Sequence, residues 1–366
     1  MSKVNIGVIG TGIIGNSHLK RYAAIADANV VAVCDVNESA ARAAAAQYGV
    51  KTVYTDYHDL LERDDIQAVD VCLHNNLHAP VSIAAMRAGK HVYCEKPLAG
   101  SFADAKLMVD AAEETGQHLA MQLGTLFRDG TIAAKRLIDD GHLGRLYYAK
   151  SSHYRRRGRP FVDGYATPAF VQKKNAAGGA LFDMGVYHIC QILYLLGAPR
   201  ILTVTGSTYQ EIDMYEHRRK QSAYDVEELG LGFARLADGV SLFIEEAWAI
   251  NLGNTDGSKI VGSKGGVTLD PFTFHSTVSD MEMDAAFDVG SARGRWKRVW
   301  PETAAFDGNQ EHWIAVLQGN TEPLPSARIG MDMMLLAEGI YLSQERGEEV
   351  TAEEIAEQSQ SMALDV

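Results

Sequence analysis

Basic charge is scarce in this chain, and so are cysteines and unbroken apolar runs. Of 366 residues, 34 are Lys or Arg against 47 Asp or Glu, a net charge of −13. Such a surface repels phosphate backbones and anionic lipid, so no nucleic acid and no membrane is expected as a partner unless positive charge is segregated. One short basic cluster exists, Arg155-Arg156-Arg157-Gly158-Arg159. No apolar run is long enough to span a bilayer, and no apolar leader precedes the strand-like run that begins at Val4, so a cytoplasmic protein is expected. The four cysteines, Cys34, Cys72, Cys94 and Cys190, show no paired spacing and read as reduced, mostly buried thiols. Internal repeats and low-complexity linkers are missing too. What is left is a globular composition, 46% hydrophobic and 22% charged, with length for two cores.

The first third alternates strand and helix. Strands are predicted at Val4–Ile9, Val30–Cys34, Lys51–Tyr54, Ala68–Leu73, His91–Cys94 and His118–Gln122. Helices are predicted between them, at Ile13–Ala26, Glu38–Tyr48, Tyr57–Arg63, Ala79–Ala88 and Phe102–Thr115. Gly49, Gly89 and Gly116 stand where helices stop. This pattern predicts a parallel sheet covered on both faces, doubly wound in the order 3-2-1-4-5-6. After Gly124 the rhythm changes. Helices at Asp129–Asp140, Met184–Leu196, Gln310–Gln318 and Ile329–Arg346 surround strand-like runs at Leu146–His153, Ile201–Tyr209, Val226–Leu236, Val240–Ala249, Lys259–Val261 and Val267–Leu269. Short turns between several of these suit antiparallel neighbours. The expected organisation is α/β: a doubly wound domain over residues 1–124, then an α+β domain over 125–366 with a large, mostly antiparallel open sheet. The bare face of that sheet is expected to be hidden by a second subunit, giving a homo-oligomer.

Between the first strand and first helix stands Gly10-Thr11-Gly12-Ile13-Ile14-Gly15, the spacing G-x-G-x-x-G. The first glycine permits a tight turn, the second lets backbone approach a pyrophosphate, and the third lets helix pack on strand. The helix start faces the phosphates with free N–H groups. Asp35 ends the second apolar run, twenty residues after Gly15, where a carboxylate accepts from a ribose 2′-hydroxyl and repels a 2′-phosphate. NAD is therefore expected in preference to NADP.

Ligands of such sheets sit beyond the carboxyl ends of the strands, near the switch between strands 1 and 4. That rule selects Leu73-His74-Asn75-Asn76-Leu77-His78 and Glu95-Lys96-Pro97. A partly desolvated Lys96 beside a cationic nicotinamide should have a lowered pKa and exchange a proton with a substrate hydroxyl. The alternative is a solvated Lys paired with Glu95. Pro97 fixes the backbone, with a cis bond expected before it. Asn75 either caps the following helix or touches the cofactor. His74 and His78 are four apart with Cys72 near, but they straddle a strand end and no further ligands recur, so no metal is expected. A third segment, Gly178-Gly179-Ala180-Leu181-Phe182-Asp183-Met184-Gly185-Val186-Tyr187-His188, brings glycines and a carboxylate to a helix start. An N-cap is the plain role of Asp183; an Asp–Tyr or Asp–His pair beside a Lys is the apparatus for removing a hydroxyl proton as hydride leaves.

These segments together resemble the glucose–fructose oxidoreductase, inositol dehydrogenase and MocA family along almost the whole chain, with Gly10–His18, Ala88–Ala99 and Gly178–His188 carrying the likeness. The resemblance implies a Rossmann domain and an NAD-dependent oxidoreductase acting on a secondary hydroxyl of a sugar, glycoside or cyclitol. It implies Lys96 as the catalytic lysine and Asp183 as the pocket carboxylate, orienting the base. It implies Asn75, His78 and Asp35 as cofactor-touching residues, with Glu95 and Pro97 shaping the Lys96 loop. Two departures stand out. Leu73-His74 replace the family's usual Thr-Pro, which leaves His74 near the nicotinamide without a role. The place four residues after Asp183, a histidine in inositol-type members and a tyrosine in sugar-type members, holds Tyr187, with His188 one place later. The base is open between Tyr187 and His188; the near-neutral pKa of histidine favours His188, which an irregular first helical turn would bring to the substrate. Arg128, His153, Tyr154 and Arg156 are expected around the substrate, with Trp248 either stacking on a sugar ring or packing in a core or subunit interface. Redox cycling on tightly held NAD, and a non-catalytic sugar sensor, are the alternative functions.

Overall fold

The computed structural model describes residues 3–253 and 256–364. Six parallel strands, β1 (Val4–Ile9), β2 (Ala28–Cys34), β3 (Thr52–Tyr54), β4 (Ala68–Val71), β5 (His91–Cys94) and β6 (Leu119–Met121), lie in the order β3-β2-β1-β4-β5-β6. All four residues of β4 are buried, as helices on both faces of a sheet require. The helices are α1 (Ile13–Tyr22), α2 (Glu38–Tyr48), α3 (Tyr57–Leu61), α4 (Asn75–Arg87) and α5 (Phe102–Thr115). Helix α4 begins four residues before the predicted Ala79, and Pro80 lies inside it. Proline has no N–H for the carbonyl four residues earlier. That carbonyl, of Asn76, accepts instead from the Leu364 N–H at 3.0 Å, so the end of the described chain is laced onto α4.

The remainder builds α6 (Asp129–Asp139), β7 (Leu146–Tyr154), α7 (Lys173–Ala176), a π-helical turn (Leu181–Gly185), α8 (Val186–Leu196), β8 (Ile201–Tyr209) and α9 (Glu216–Ser222). Then come β9 (Leu229–Leu236), β10 (Ser241–Ala247), β11 (Lys259–Gly262), β12 (Gly265–Leu269), β13 (Phe272–Val278), β14 (Met281–Ala285), α10 (Val289–Val299), α11 (Asn309–Leu317), α12 (Ser326–Arg346), β15 (Val350–Thr351) and α13 (Ala352–Gln358). The nine-stranded sheet runs β14-β13-β12-β11-β7-β10-β9-β8-β15, antiparallel except between β7 and β10. Strands β13 and β14 go beyond the predicted set. Their connection, Ser279-Asp280, has φ of 52° and 66°, a two-residue hairpin turn made without the glycine that would have announced it.

Helices α8 and α12 pack on one face of this sheet, over the buried Val204, Ala234, Leu242 and Ile244. Helix α12 also packs on α5 and β6, which ties the two sheets together. The segment Lys173–Leu196 is, by length and composition, long and apolar enough to cross a membrane, unlike the expectation from sequence. Of its 18-residue apolar window 72% is buried inside the protein, and the π turn breaks it, so it is a core element here.

Candidate active site

The glycine-rich turn divides its labour as its spacing predicts. Gly10 has φ 94°, and a Cβ there would stand 2.3 Å from the Cys72 carbonyl; one on Gly15 would stand 1.9 Å from the Gly10 carbonyl. Nothing lies within 4 Å of a Cβ built on Gly12, so open space is kept above it. Helix α1 starts there with no side-chain cap and no acid in its first turn, which leaves its N–H groups and dipole for an anion. Ile13, Ile14 and Val36 are exposed beside this space. Asp35 stands at the end of β2. Its Oδ2 accepts from the Thr11 N–H at 2.7 Å and hydroxyl at 2.9 Å, and its Oδ1 from the Asn37 N–H. An open cradle, an uncapped helix start and a carboxylate at the second strand end fit a dinucleotide.

At the end of β4 the expected residues part company. His74 is exposed and precedes α4 as its cap residue. Leu73 is half-buried. Asn75 donates to the Ala176 carbonyl at 2.8 Å, a link across to α7. His78 corrects its assignment to the cofactor. It is wholly buried, with Nδ1 2.8 Å from the Pro97 carbonyl and Nε2 3.1 Å from the Leu73 carbonyl. Burial pushes its pKa down, so it is a neutral strut between the ends of β4 and β5. With His74 outside and His78 inside, these two do not converge on an ion.

A different cluster, not singled out in the sequence, lies behind this edge. His18 on α1 has Nδ1 2.8 Å from Asp70 Oδ2 and Nε2 2.9 Å from Glu95 Oε1. A neutral ring donates from one nitrogen only, so two carboxylate partners call for imidazolium. Burial alone would lower the His18 pKa; Asp70 outweighs it and the result is strongly raised. Burial opposes ionisation of Glu95, yet the His18 hydrogen bond holds it below its ordinary value. Cys72 completes a set of three possible metal ligands with His18 and Asp70, but all three side chains are engaged with one another. The other oxygen of Glu95 accepts the Lys96 N–H at 2.9 Å and so holds the Lys96-Pro97 loop, whose peptide is cis.

Lys96 reaches across to the π turn at the head of α8. Its Nζ donates to Asp183 Oδ1 at 2.8 Å and to the Asp183 carbonyl at 3.0 Å, and lies 4.9 Å from the Tyr187 ring centre. The expected lowered pKa is overturned. Burial pushes the ammonium down, but the Asp183 charge prevails and holds it well above its ordinary value. Asp183 lies below its ordinary value, since Lys96 outweighs burial. The second oxygen of Asp183 accepts from the Trp248 indole at 3.0 Å. Trp248 is fully buried, which leaves no face for a sugar ring and selects packing from the two roles left open for it.

Asp183 does not orient His188. The π turn Leu181–Gly185 inserts an extra residue, and Asp183, Tyr187 and His188 are all left partly accessible at the head of α8. His188 Nδ1 lies 3.1 Å from Glu246 Oε2, a fully buried carboxylate on β10. Ser151 donates to the other Glu246 oxygen at 2.7 Å. The His153 ring stacks on His188 with centres 4.5 Å apart. Glu246 had a signal in the sequence: in Leu242, Ile244, Glu246, Trp248 a charge sits on the buried face of an alternating strand.

Of the arginines, Arg128 and Arg156 are exposed and have no ion-pair partner among the described residues. Tyr154 ends β7, half-buried. Arg155 approaches the site instead of Arg156: it donates to the Tyr165 hydroxyl at 2.8 Å, and its charge helps lower the Asp183 pKa. Arg159, in the stretch expected to line the pocket, is buried between Asp163 and Glu228 and anchors the loop.

Residues 4–123 match the oxidoreductase family with an NAD-binding Rossmann fold, and residues 131–268 match the GFO/IDH/MocA C-terminal domain. The inositol 2-dehydrogenase of Azotobacter vinelandii is 32% identical over 257 residues, 65% of this chain and 75% of that one. The chain belongs to the GFO/IDH/MocA oxidoreductase family. The D-glucoside 3-dehydrogenase of Escherichia coli is 27% identical over 357 residues, 95% of this chain and 97% of that one. Among solved structures, an oxidoreductase domain protein from Kribbella flavida has the same fold at a TM-score of 0.81 and 23% identity, over 96% of this chain and 100% of that one. A levoglucosan dehydrogenase solved with NADH and levoglucosan has a TM-score of 0.77 at 22% identity, over 96% and 100%.

Proposed function

We propose that this member of the family is an NAD-linked dehydrogenase of a secondary hydroxyl on a sugar, glycoside or cyclitol. The observation that carries the reading is the Lys96–Asp183 pair, formed at the carboxyl end of β5 by the Lys96 loop and the π turn that leads into α8. The names of the relatives, all dehydrogenases of glycosides, anhydrosugars or cyclitols, support the substrate class. A bound nicotinamide dinucleotide supplies the acceptor for the hydride that leaves the carbinol carbon. Gly10, Thr11, Gly12, Ile13, Ile14 and Gly15 hold its phosphates, and Asp35 favours NAD by accepting from ribose and repelling a 2′-phosphate. Lys96, charged, donates to the substrate oxygen and fixes its place. Asp183 and the Trp248 behind it fix the ammonium. The hydroxyl proton passes to His188 or Tyr187. Residues 1–124 carry the dinucleotide, and residues 125–366 carry the substrate wall.

The reading includes a homo-oligomer through the nine-stranded sheet. Tyr148, Leu231, Phe233 and Phe243 alternate with residues buried under the helices and are only half-buried, which supports a second copy on that face. Purified protein mixed with NAD and a panel of polyols, glycosides and anhydrosugars should raise the absorbance of reduced nicotinamide. Silence across the panel, with NAD bound in a separate titration, would overturn the dehydrogenase reading.

A further inference from the structure

The structure places two pairs of side chains on one patch of sheet, and the pairing follows from register. Strands β7 and β10 run parallel, with Ile244 beside Ser151 and Glu246 beside His153. Side chains two apart on a strand share a face. One face therefore presents Ser151 and His153 from β7, and Glu246 from β10 with Trp248 just beyond it. Two of these grip the head of α8 by hydrogen bonds. Trp248 holds Asp183 and Glu246 holds His188, two residues that the π turn spaces five apart. Glu246 has no exposed surface, its other oxygen is satisfied by Ser151, and no lysine or arginine among the described residues pairs with it. His188 Nε2 has no partner among the described residues, and its side chain keeps 12% exposure.

We propose that His188 is the general base of the reaction and that Glu246 is its positioning residue. This inference rests on the dehydrogenase reading. Glu246 accepts from Nδ1–H, which fixes the tautomer and turns the bare Nε2 outward. As the substrate O–H bond breaks, its proton goes to Nε2. The O–H electron pair becomes the second bond of the carbonyl, and the hydride leaves the same carbon for the oxidised dinucleotide. The imidazolium so formed lies against the Glu246 carboxylate. His153, stacked on it, stays neutral: burial and then the His188 charge both lower its pKa. The other charged groups around the ring are Lys96 and Asp183, which neutralise each other, and Arg155 and Arg128 beyond His153. Tyr187 keeps to the Lys96 side, where burial raises its pKa and makes it the poorer acceptor.

The test is the split of kcat against KM in Glu246→Gln, with rescue by Glu246→Asp. Glu246→Gln should lower kcat roughly tenfold, the loss expected for one charged hydrogen bond, and leave KM within a few-fold. Glu246→Asp should restore most of the lost kcat. Glu245→Gln, on the opposite face of β10 and paired with Lys150, should change neither kcat nor KM. His188→Gln should lower kcat about 100-fold or more. An NMR spectrum of the labelled His188 ring needs no substrate: the neutral ring should carry its proton on Nδ1 in the natural protein and become a mixture of tautomers in Glu246→Gln. An unchanged kcat with an unchanged tautomer overturns the dyad. So does loss of kcat in Tyr187→Phe with its retention in His188→Gln. If no sugar is oxidised while NAD binds, the dehydrogenase reading fails instead.

Discussion

Glu95 and Lys96 are neighbours in the chain, and their side chains enter two charge clusters of opposite design. The Asp70–His18–Glu95 cluster is closed. All three residues come from elements around one parallel sheet, exposure is 9% or less for each side chain, and both ring nitrogens are engaged. The Lys96–Asp183 cluster is open. Its partners come from the loop after β5 and the π turn before α8, Lys96 and Asp183 keep 14% and 21% exposure, and the ammonium has a donor position to spare. A closed set of charges can only hold a shape, whereas an open one can also meet a ligand. The two designs are joined at one backbone N–H, that of Lys96, which Glu95 accepts.

The largest expected effect breaks the open cluster. Lys96→Ala should lower kcat by about 10²- to 10⁴-fold, the range of acid–base and charge contributions in transition states. Dinucleotide affinity, read by fluorescence titration, should stay within a few-fold. Unchanged turnover would move the chemistry away from β5.

Breaking the closed cluster should act on stability instead. His18→Leu leaves Asp70 and Glu95 buried without their cation, a loss of about 3–5 kcal/mol in a urea unfolding series. The pH dependence has a definite sign. The raised His18 pKa contributes stability that is complete below about pH 6.5, its unfolded value, and fades as pH rises toward the folded value. The lowered Glu95 pKa contributes above about pH 4.3 and is lost on acidification through its folded value. The advantage of the natural protein over His18→Leu should therefore peak between about pH 4.5 and 6.5. A difference flat from pH 4 to 9 would mean that His18 is neutral.

The contrast also explains what the sequence disclosed. The parallel order, the glycine turn, Asp35, Lys96 and Asp183 were legible because each sits at a strand end or helix start, where local chemistry and topology agree. His18 and Asp70 were not: a histidine one turn into a helix and an acid inside a strand have no local signal, and only the closure of the sheet brings them together. Glu246 carried a signal in its alternation, but its partner depends on a π turn that local propensity does not announce. The hairpin at Ser279-Asp280 escaped for the same reason, since its positive φ values fall on residues other than glycine.

A smaller effect tests the cofactor side of the open cluster. Asp35→Ser removes the carboxylate that repels a 2′-phosphate and also frees Thr11. The ratio of NADH to NADPH affinity should fall about 10- to 100-fold, equal to about 1.4–2.8 kcal/mol. Absolute NADH affinity should fall as well, because the turn loses its tether. A ratio that does not move would place the ribose away from β2.

The smallest effect is the most discriminating. Trp248→Phe keeps the ring in its buried slot and deletes one N–H, so Asp183 Oδ2 loses the donor it has among the described residues while Lys96 still holds Oδ1. The loss is about 1.5 kcal/mol, roughly tenfold in kcat, because Asp183 keeps its charge and its ion pair and loses only one restraint. Affinity for the dinucleotide should not change, since no atom of Trp248 is exposed. If Trp248 merely fills the core, the melting temperature will fall and kcat will not. If it fixes the carboxylate that fixes the ammonium, kcat will fall with little change in melting, and the open cluster extends one residue deeper into the second sheet than its solvent-facing atoms reveal.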